Sequence, residues 1–243
     1  MRGKPNISAA AMAAFFAIVP VHAAVADSLQ VSPINLILGA NNTGILNAVN
    51  RGDKPIAAQI EAFDWQQNNG KDVLTPSTTL QISPPIIRLG PGKKQIVRVR
   101  VTAKPTGPQE RAYRLVVSEL PNPADQAKGR VRVLLQFRLP VFVGGAQTTP
   151  RLLAWTATEF GNNLVLRVSN RGDRHVKLAG LHVVAPDGRD TTIEPASFYY
   201  VLPGATHEWT VSGTHVAPGT SLHVQGVEEG AGVKVDYTVV VRR

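Results

Sequence analysis

Short runs of alternating or β-branched residues, broken by Gly, Pro, Asn and Asp, recur about every ten residues from Asp27 to the end of the chain. In the first half they fall at 28–38, 44–49, 56–65, 79–82, 94–102, 112–119 and 130–143. In the second half they fall at 151–158, 163–169, 174–184, 191–193, 205–211, 219–227 and 233–241. Successive residues of a strand point to opposite sheet faces, so such runs bury one side and wet the other. No stretch carries the longer period of a helix. Gly144-Gly145 through Pro150 has no side-chain pattern and reads as a linker. The expectation is all-β: one sandwich over 27–143, a linker at 144–150 and a second sandwich over 151–243.

An internal repeat supports two related halves. Leu46 to Asp53 reads LNAVNRGD and Leu166 to Asp173 reads LRVSNRGD. Leu89-Gly90-Pro91-Gly92 likewise resembles Val201-Leu202-Pro203-Gly204. Asn and Gly tolerate the backbone conformations tight turns need, so the twice-occurring Arg-Gly-Asp reads as turn structure rather than as an adhesion motif.

Residues 1–26 are read apart from the fold. Arg2 and Lys4 precede an apolar run from Ala9 to Val19, and Ala24-Val25-Ala26 fits a small-residue cleavage rule. The run is too short to span a bilayer, so it predicts a secretory signal peptide cut before Asp27, with a cut after Ala23 as the alternative. No later stretch is long and apolar enough to span, and the product is expected not to be membrane-embedded. Export commonly goes with disulfides, yet the chain has no cysteine. Two domains of roughly a hundred residues can bury enough surface without them.

The full chain carries 26 Lys and Arg against 17 Asp and Glu; without residues 1–26 the balance is 24 against 17, a charge of +7. The cations are scattered over strands with no aromatic platform and no reading helix, which argues against nucleic acid. Nothing marks an enzyme or a cofactor. There is no Gly-x-Ser-x-Gly elbow and no thiol nucleophile, and His175, His182, His207, His215 and His223 lack close metal-ligand spacing. Gly90-Pro91-Gly92-Lys93-Lys94 lacks the spacing and following helix of a phosphate loop and reads as a hairpin turn.

The most patterned stretch is Arg130 to Phe142, RVRVLLQFRLPVF. Val131, Val133, Leu135, Phe137 and Leu139 share one side, and Arg130, Arg132, Gln136 and Arg138 share the other, with Leu134 out of pattern. An ordinary core strand would read the same way. Its context adds to this. Trp65, Leu74-Thr75-Pro76-Ser77, Ile82-Ser83-Pro84-Pro85-Ile86-Ile87-Arg88-Leu89-Gly90-Pro91-Gly92 and Gln95-Ile96-Val97-Arg98-Val99 come in series. Glu110-Arg111-Ala112-Tyr113-Arg114-Leu115, Ser118-Glu119-Leu120-Pro121 and Leu139-Pro140-Val141-Phe142 follow. Their order and spacing resemble the PapD-like periplasmic chaperones of chaperone–usher pili, closely over residues 28–143 and by architecture alone beyond.

The resemblance implies two tandem immunoglobulin-like domains and a non-enzymatic function. Such a chaperone lends an edge strand to a pilus or fimbrial subunit that lacks one, then passes the subunit to an outer-membrane usher. The lent strand here would be 130–139, with Val131, Val133, Leu135 and Phe137 as the side chains that fill the subunit's groove. Family members often grip the subunit's terminal carboxylate with an Arg on the first strand and a Lys on the lent one. Pro33 and Pro140 stand nearest those positions, which brings this chain closer to the divergent members. Arg114 first and Arg138 second are then the candidates for that grip. Arg98 and Glu110 are expected to form a buried interdomain bridge with Glu229 or its neighbour Glu228. The Pro84-Pro85 pair is a candidate for a cis bond. Two rivals remain: a fibre subunit or adhesin, which would show a free N-terminal donor extension, and an exported carbohydrate-binding or hydrolytic sandwich, which would need clustered aromatics or paired carboxylates.

Overall fold

The computed structural model describes residues 29–39, 41–103, 107–121, 133–144, 152–193 and 199–243. The expected signal peptide, most of the expected linker, and Arg130, Val131 and Arg132 lie outside the described residues.

Among the described residues the first sandwich has ten strands: β1 (Leu29–Ser32), β2 (Leu36–Leu38), β3 (Thr43–Asn50), β4 (Ile56–Asn68), β5 (Lys71–Pro76), β6 (Leu80–Ser83), β7 (Ile86–Leu89), β8 (Lys94–Val101), β9 (Arg111–Leu120) and β10 (Gln136–Val143). One sheet runs β1-β3-β8-β6, and the other runs β2-β10-β9-β4-β5 with β7 also on β4. The expected first strand, 28–38, is thus two strands in different sheets. The chain crosses between them past a cis Ser32–Pro33 bond. Gly44 makes room for the crossing, because a Cβ there would stand 2.5 Å from Leu38 Cδ2 and 3.4 Å from Leu36 Cδ2. At the proline pair the cis bond is Ser83–Pro84, which enters the pair.

The second sandwich has, among the described residues, eight: β11 (Leu153–Phe160), β12 (Asn163–Asn170), β13 (Val176–Val184), β14 (Asp190–Thr192), β15 (Tyr199–Val201), β16 (Thr206–Val211), β17 (Ser221–Glu228) and β18 (Val233–Arg242). The layers β12-β16 and β13-β17-β18 are bridged by β11, which touches β18 through a parallel pairing at Ala157 and Thr158.

Alternation explains both cores. Leu164, Leu166 and Val168 of β12 are each fully buried, as are Val97 and Val99 of β8 and Leu115 and Val117 of β9. Three strands escaped the sequence reading. β5 (KDVLTP) has no alternation and is mostly exposed, while β7 and β15 are short strands on the edges of β4 and β13.

The two Asn-Arg-Gly-Asp turns are built alike. Asn50 Nδ2 donates to the carbonyls of Lys54 (2.7 Å) and Leu89 (3.0 Å), and Asn170 Nδ2 donates to those of Arg174 (2.7 Å) and Val201 (2.9 Å). In each turn the Asn Oδ1 accepts the Gly amide two residues on, at 2.9 Å. Both asparagines are buried, and both tie a strand end to the repeated Gly-bearing turn. A buried amide with all of these groups paired fixes the turn, so the repeat encodes structure.

Candidate functional site: an open strand edge beside an interdomain cleft

β10 lies between β9 and β2. It pairs with β9 along its whole length, from Gln136 opposite Ser118 to Val143 opposite Arg111. β2 covers only Val141, Phe142 and Val143. Among the described residues, no strand covers the other edge of Gln136 to Pro140.

The apolar side of this strand emerges from the core stepwise. Val141 is fully buried and Leu139 is 4% exposed, Phe137 and Leu135 pack partly on the first core, and Val133 is 75% exposed. Among the described residues the strand starts at Gln136, and residues 133–135, the described part of the expected run from Arg130, are not strand. Continuing the register sets Leu135 and Leu134 against Glu119 and Leu120 but Val133 against Pro121, and a proline cannot donate to a ladder. Leu135 is held by the Glu119 amide, which donates to its carbonyl at 2.9 Å, and by Glu119 Oε2, which accepts its amide at 3.4 Å. Of the four expected groove-filling residues, then, Val133 projects freely, Leu135 and Phe137 lie half-covered, and Val131 is outside the described residues.

The opposite side of the sheet meets the second domain. Trp65 (β4) and Phe142 (β10) are buried within the second domain's apolar cluster. Phe142 stacks on His175, and Trp65 meets Tyr200 edge-on with ring centroids 5.4 Å apart. The β4–β5 hairpin, turning at Asn69 and Gly70 with positive φ, reaches across as a strap. Gln67 at its tip donates to the Tyr200 carbonyl at 2.8 Å and accepts the Leu202 amide at 2.9 Å, completing the edge of β15 with one side-chain amide.

Arg114 sits on this face, directly opposite Pro140. Its guanidinium carbon lies 3.6 Å from the centroid of the Trp65 ring and 5.4 Å from that of Tyr200, and its side chain is 13% exposed. Among the described residues its carboxylate contact is Asp72 Oδ2, 3.5 Å from Nη2. Burial pushes the guanidinium below its ordinary value, and Asp72 and Tyr200 pull it back. The cation opens on a cleft of about 250 Å³ lined by Trp65, Asp72, Tyr199, Tyr200 and His207. Arg138 lies on the same face, opposite Val116, but is exposed and bonded to Gln136 at 3.3 Å. Its charge also lowers Arg114.

The expected interdomain bridge is not assembled as a triad. Arg98 lies between fully buried Val97 and Val99, so alternation turns it outward on the sheet remote from the second domain. Glu110 is the interdomain carboxylate, with another partner. Its side chain is 1% exposed, and its Oε2 accepts the His175 backbone amide at 2.9 Å and lies 2.5 Å from His175 Nδ1. The Glu110 amide donates to the Asp173 carbonyl at 2.8 Å, which docks the second Arg-Gly-Asp turn against the first domain. Glu229 pairs instead with Lys177, and Glu228 is buried on β17.

Among the described residues there is no group of three or more His, Cys, Asp or Glu able to hold a metal, and no helix long and apolar enough to cross a membrane. Among the described residues the chain is thus a pair of tandem sandwiches with an uncovered strand edge beside their shared cleft. The chain belongs to the PapD-like family of pilus-assembly chaperones: residues 28–148 match the N-terminal domain of PapD, described as a pili and flagellar-assembly chaperone. Solved structures share the fold. A chain of the CsuC–CsuE chaperone–tip adhesion subunit complex from Acinetobacter baumannii is 19% identical, with 89% of this chain and 100% of that one covered and a TM-score of 0.68. A chain of the Salmonella enterica SafA pilin–SafB chaperone complex is 17% identical, covering 88% and 96%, with a TM-score of 0.61. The Pseudomonas aeruginosa CupB2 chaperone is 17% identical, covering 86% and 98%, with a TM-score of 0.55. No curated protein matches.

Proposed function

We propose that this chain is a periplasmic chaperone that holds pilus or surface-fibre subunits by lending them the free edge of β10 and hands them to an outer-membrane usher. The observation that carries this reading is the edge from Gln136 to Pro140, uncovered among the described residues and continued outward by an apolar side that reaches exposed Val133. An incomplete sandwich placed along that edge gains ladder bonds from the backbone and buries Val133, Leu135 and Phe137, each worth about 1.5–3 kcal/mol when fully covered. The ladder gives affinity and the apolar side chains set register. Arg114, desolvated against Trp65 at the end of that edge, is suited to a terminal carboxylate, which arginine grips with two parallel bonds. The relatives support the reading, since two of them are described as complexes of a chaperone with a tip adhesion subunit or a pilin.

Affinity purification of the tagged chain from periplasm tests it. A small β-rich protein recovered in one-to-one ratio is expected, and recovery of none from the cells that naturally make this chain would overturn the proposal.

A further inference from the structure

The ion pair between Arg114 and Asp72 is long and single-pronged. The closest approach is 3.5 Å, against about 2.7–2.9 Å for a well-formed charge-assisted bond. The two partners are unequally placed: Arg114 is 13% exposed and Asp72 is 45% exposed. The cation therefore has lost most of its water without gaining a close carboxylate in return. Asp72 is meanwhile engaged elsewhere, for its Oδ1 accepts from Gln67 Nε2 at 3.0 Å. Gln67 in turn holds the Tyr200 carbonyl, so Asp72, itself on the strap, links the cleft cation to the strap's interdomain contact.

We infer that Asp72 is an internal stand-in for the ligand's carboxylate, holding Arg114 in the empty cleft and competing with the terminal carboxylate of an incoming chain. This rests on Arg114 being the anchor. A ligand carboxylate that forms two close bonds either displaces Asp72 or binds beside it against like-charge repulsion. Both routes weaken binding, so Asp72 tunes the cleft toward ligands able to bring more than their carboxylate. Asparagine at this position keeps an oxygen for Gln67 and removes the charge facing Arg114.

The test uses the full chain and two synthetic probes, a peptide of alternating valine and threonine with a free terminal carboxylate and the same peptide amidated. Wild type is expected to prefer the acid. Asp72→Asn should bind the acid about three- to tenfold more tightly and leave the amide unchanged. Arg114→Ala should erase the preference for the acid. If Arg114→Ala discriminates acid from amide as wild type does, or if neither probe binds, the anchor itself is wrong and the stand-in falls with it. If Arg114→Ala erases the preference but Asp72→Asn binds the acid no better than wild type, the anchor stands and the inference about Asp72 is overturned.

Discussion

The ring of Phe142, at the end of the strand that carries the open edge, stacks on the imidazole of His175 in the second domain with centroids 3.5 Å apart and planes 9° apart. The same imidazole meets the buried Glu110 carboxylate, which requires its proton on Nδ1. One histidine thus joins an apolar and a polar contact between the domains, and it fixes the angle of the cleft beside Arg114.

Glu110→Ala should cost about 1–3 kcal/mol, because the buried His175 amide and ring lose their acceptor. Arg98→Ala, at an exposed position, should change stability by less than about 0.5 kcal/mol. Urea unfolding of both variants checks this, and equal losses would mean that Arg98 does reach the interface.

Val133→Asp should leave the melting temperature of the unbound chain unchanged, since Val133 is 75% exposed. It should abolish subunit recovery, because a carboxylate would enter an apolar groove without a partner. Normal recovery in periplasmic pull-downs would remove Val133 from the lent strand.

Subunit recovery should fall further for Arg114→Ala than for Arg138→Ala, and Arg132→Ala serves as a control of equal charge change. Arg114→Lys should not restore it, as an ammonium neither stacks on Trp65 nor forms a fork of parallel bonds. Three alanine variants with the same recovery would move the anchor elsewhere.

Burial holds the His207 imidazole below its ordinary 6.5, against a bond to the Gly70 backbone and the fields of Asp72 and Glu208. The unfolded chain therefore takes up this proton first as pH falls, and stability drops between 6.5 and the lowered value. Relative to His207→Gln, the wild type should lose stability on acidification through that window and show no trend above it. Parallel curves for the two proteins would contradict the assignment.

Much of this was legible in residue parity. Alternation marks the faces of β8, β9, β10 and β12, and the paired Asn-Arg-Gly-Asp segments mark equivalent turns. Parity also held the answer for Arg98, since a residue between Val97 and Val99 in a half-buried strand must face out. Other features had no local signal. Gln67 and Asp72 lie on a polar hairpin whose only cue is the Asn69-Gly70 turn, and their roles arise from what the second domain brings to them. His175 follows its turn like any loop residue, and its partners, Phe142 and Glu110, both come from the first domain.

The three-residue pairing of β2 with β10 acts as an end-stop. On the proposed function, an incoming strand can extend along the edge from Gln136 to Pro140, a run of roughly 17 Å at about 3.3 Å per residue. At Val141 the edge is already taken by Leu36. On that function β2 meters how much backbone the protein can lend, and Gly44, by admitting β2, sets the limit. A bulkier residue at 44 would loosen the stop, lengthen the exposed edge and trade defined register for indiscriminate pairing.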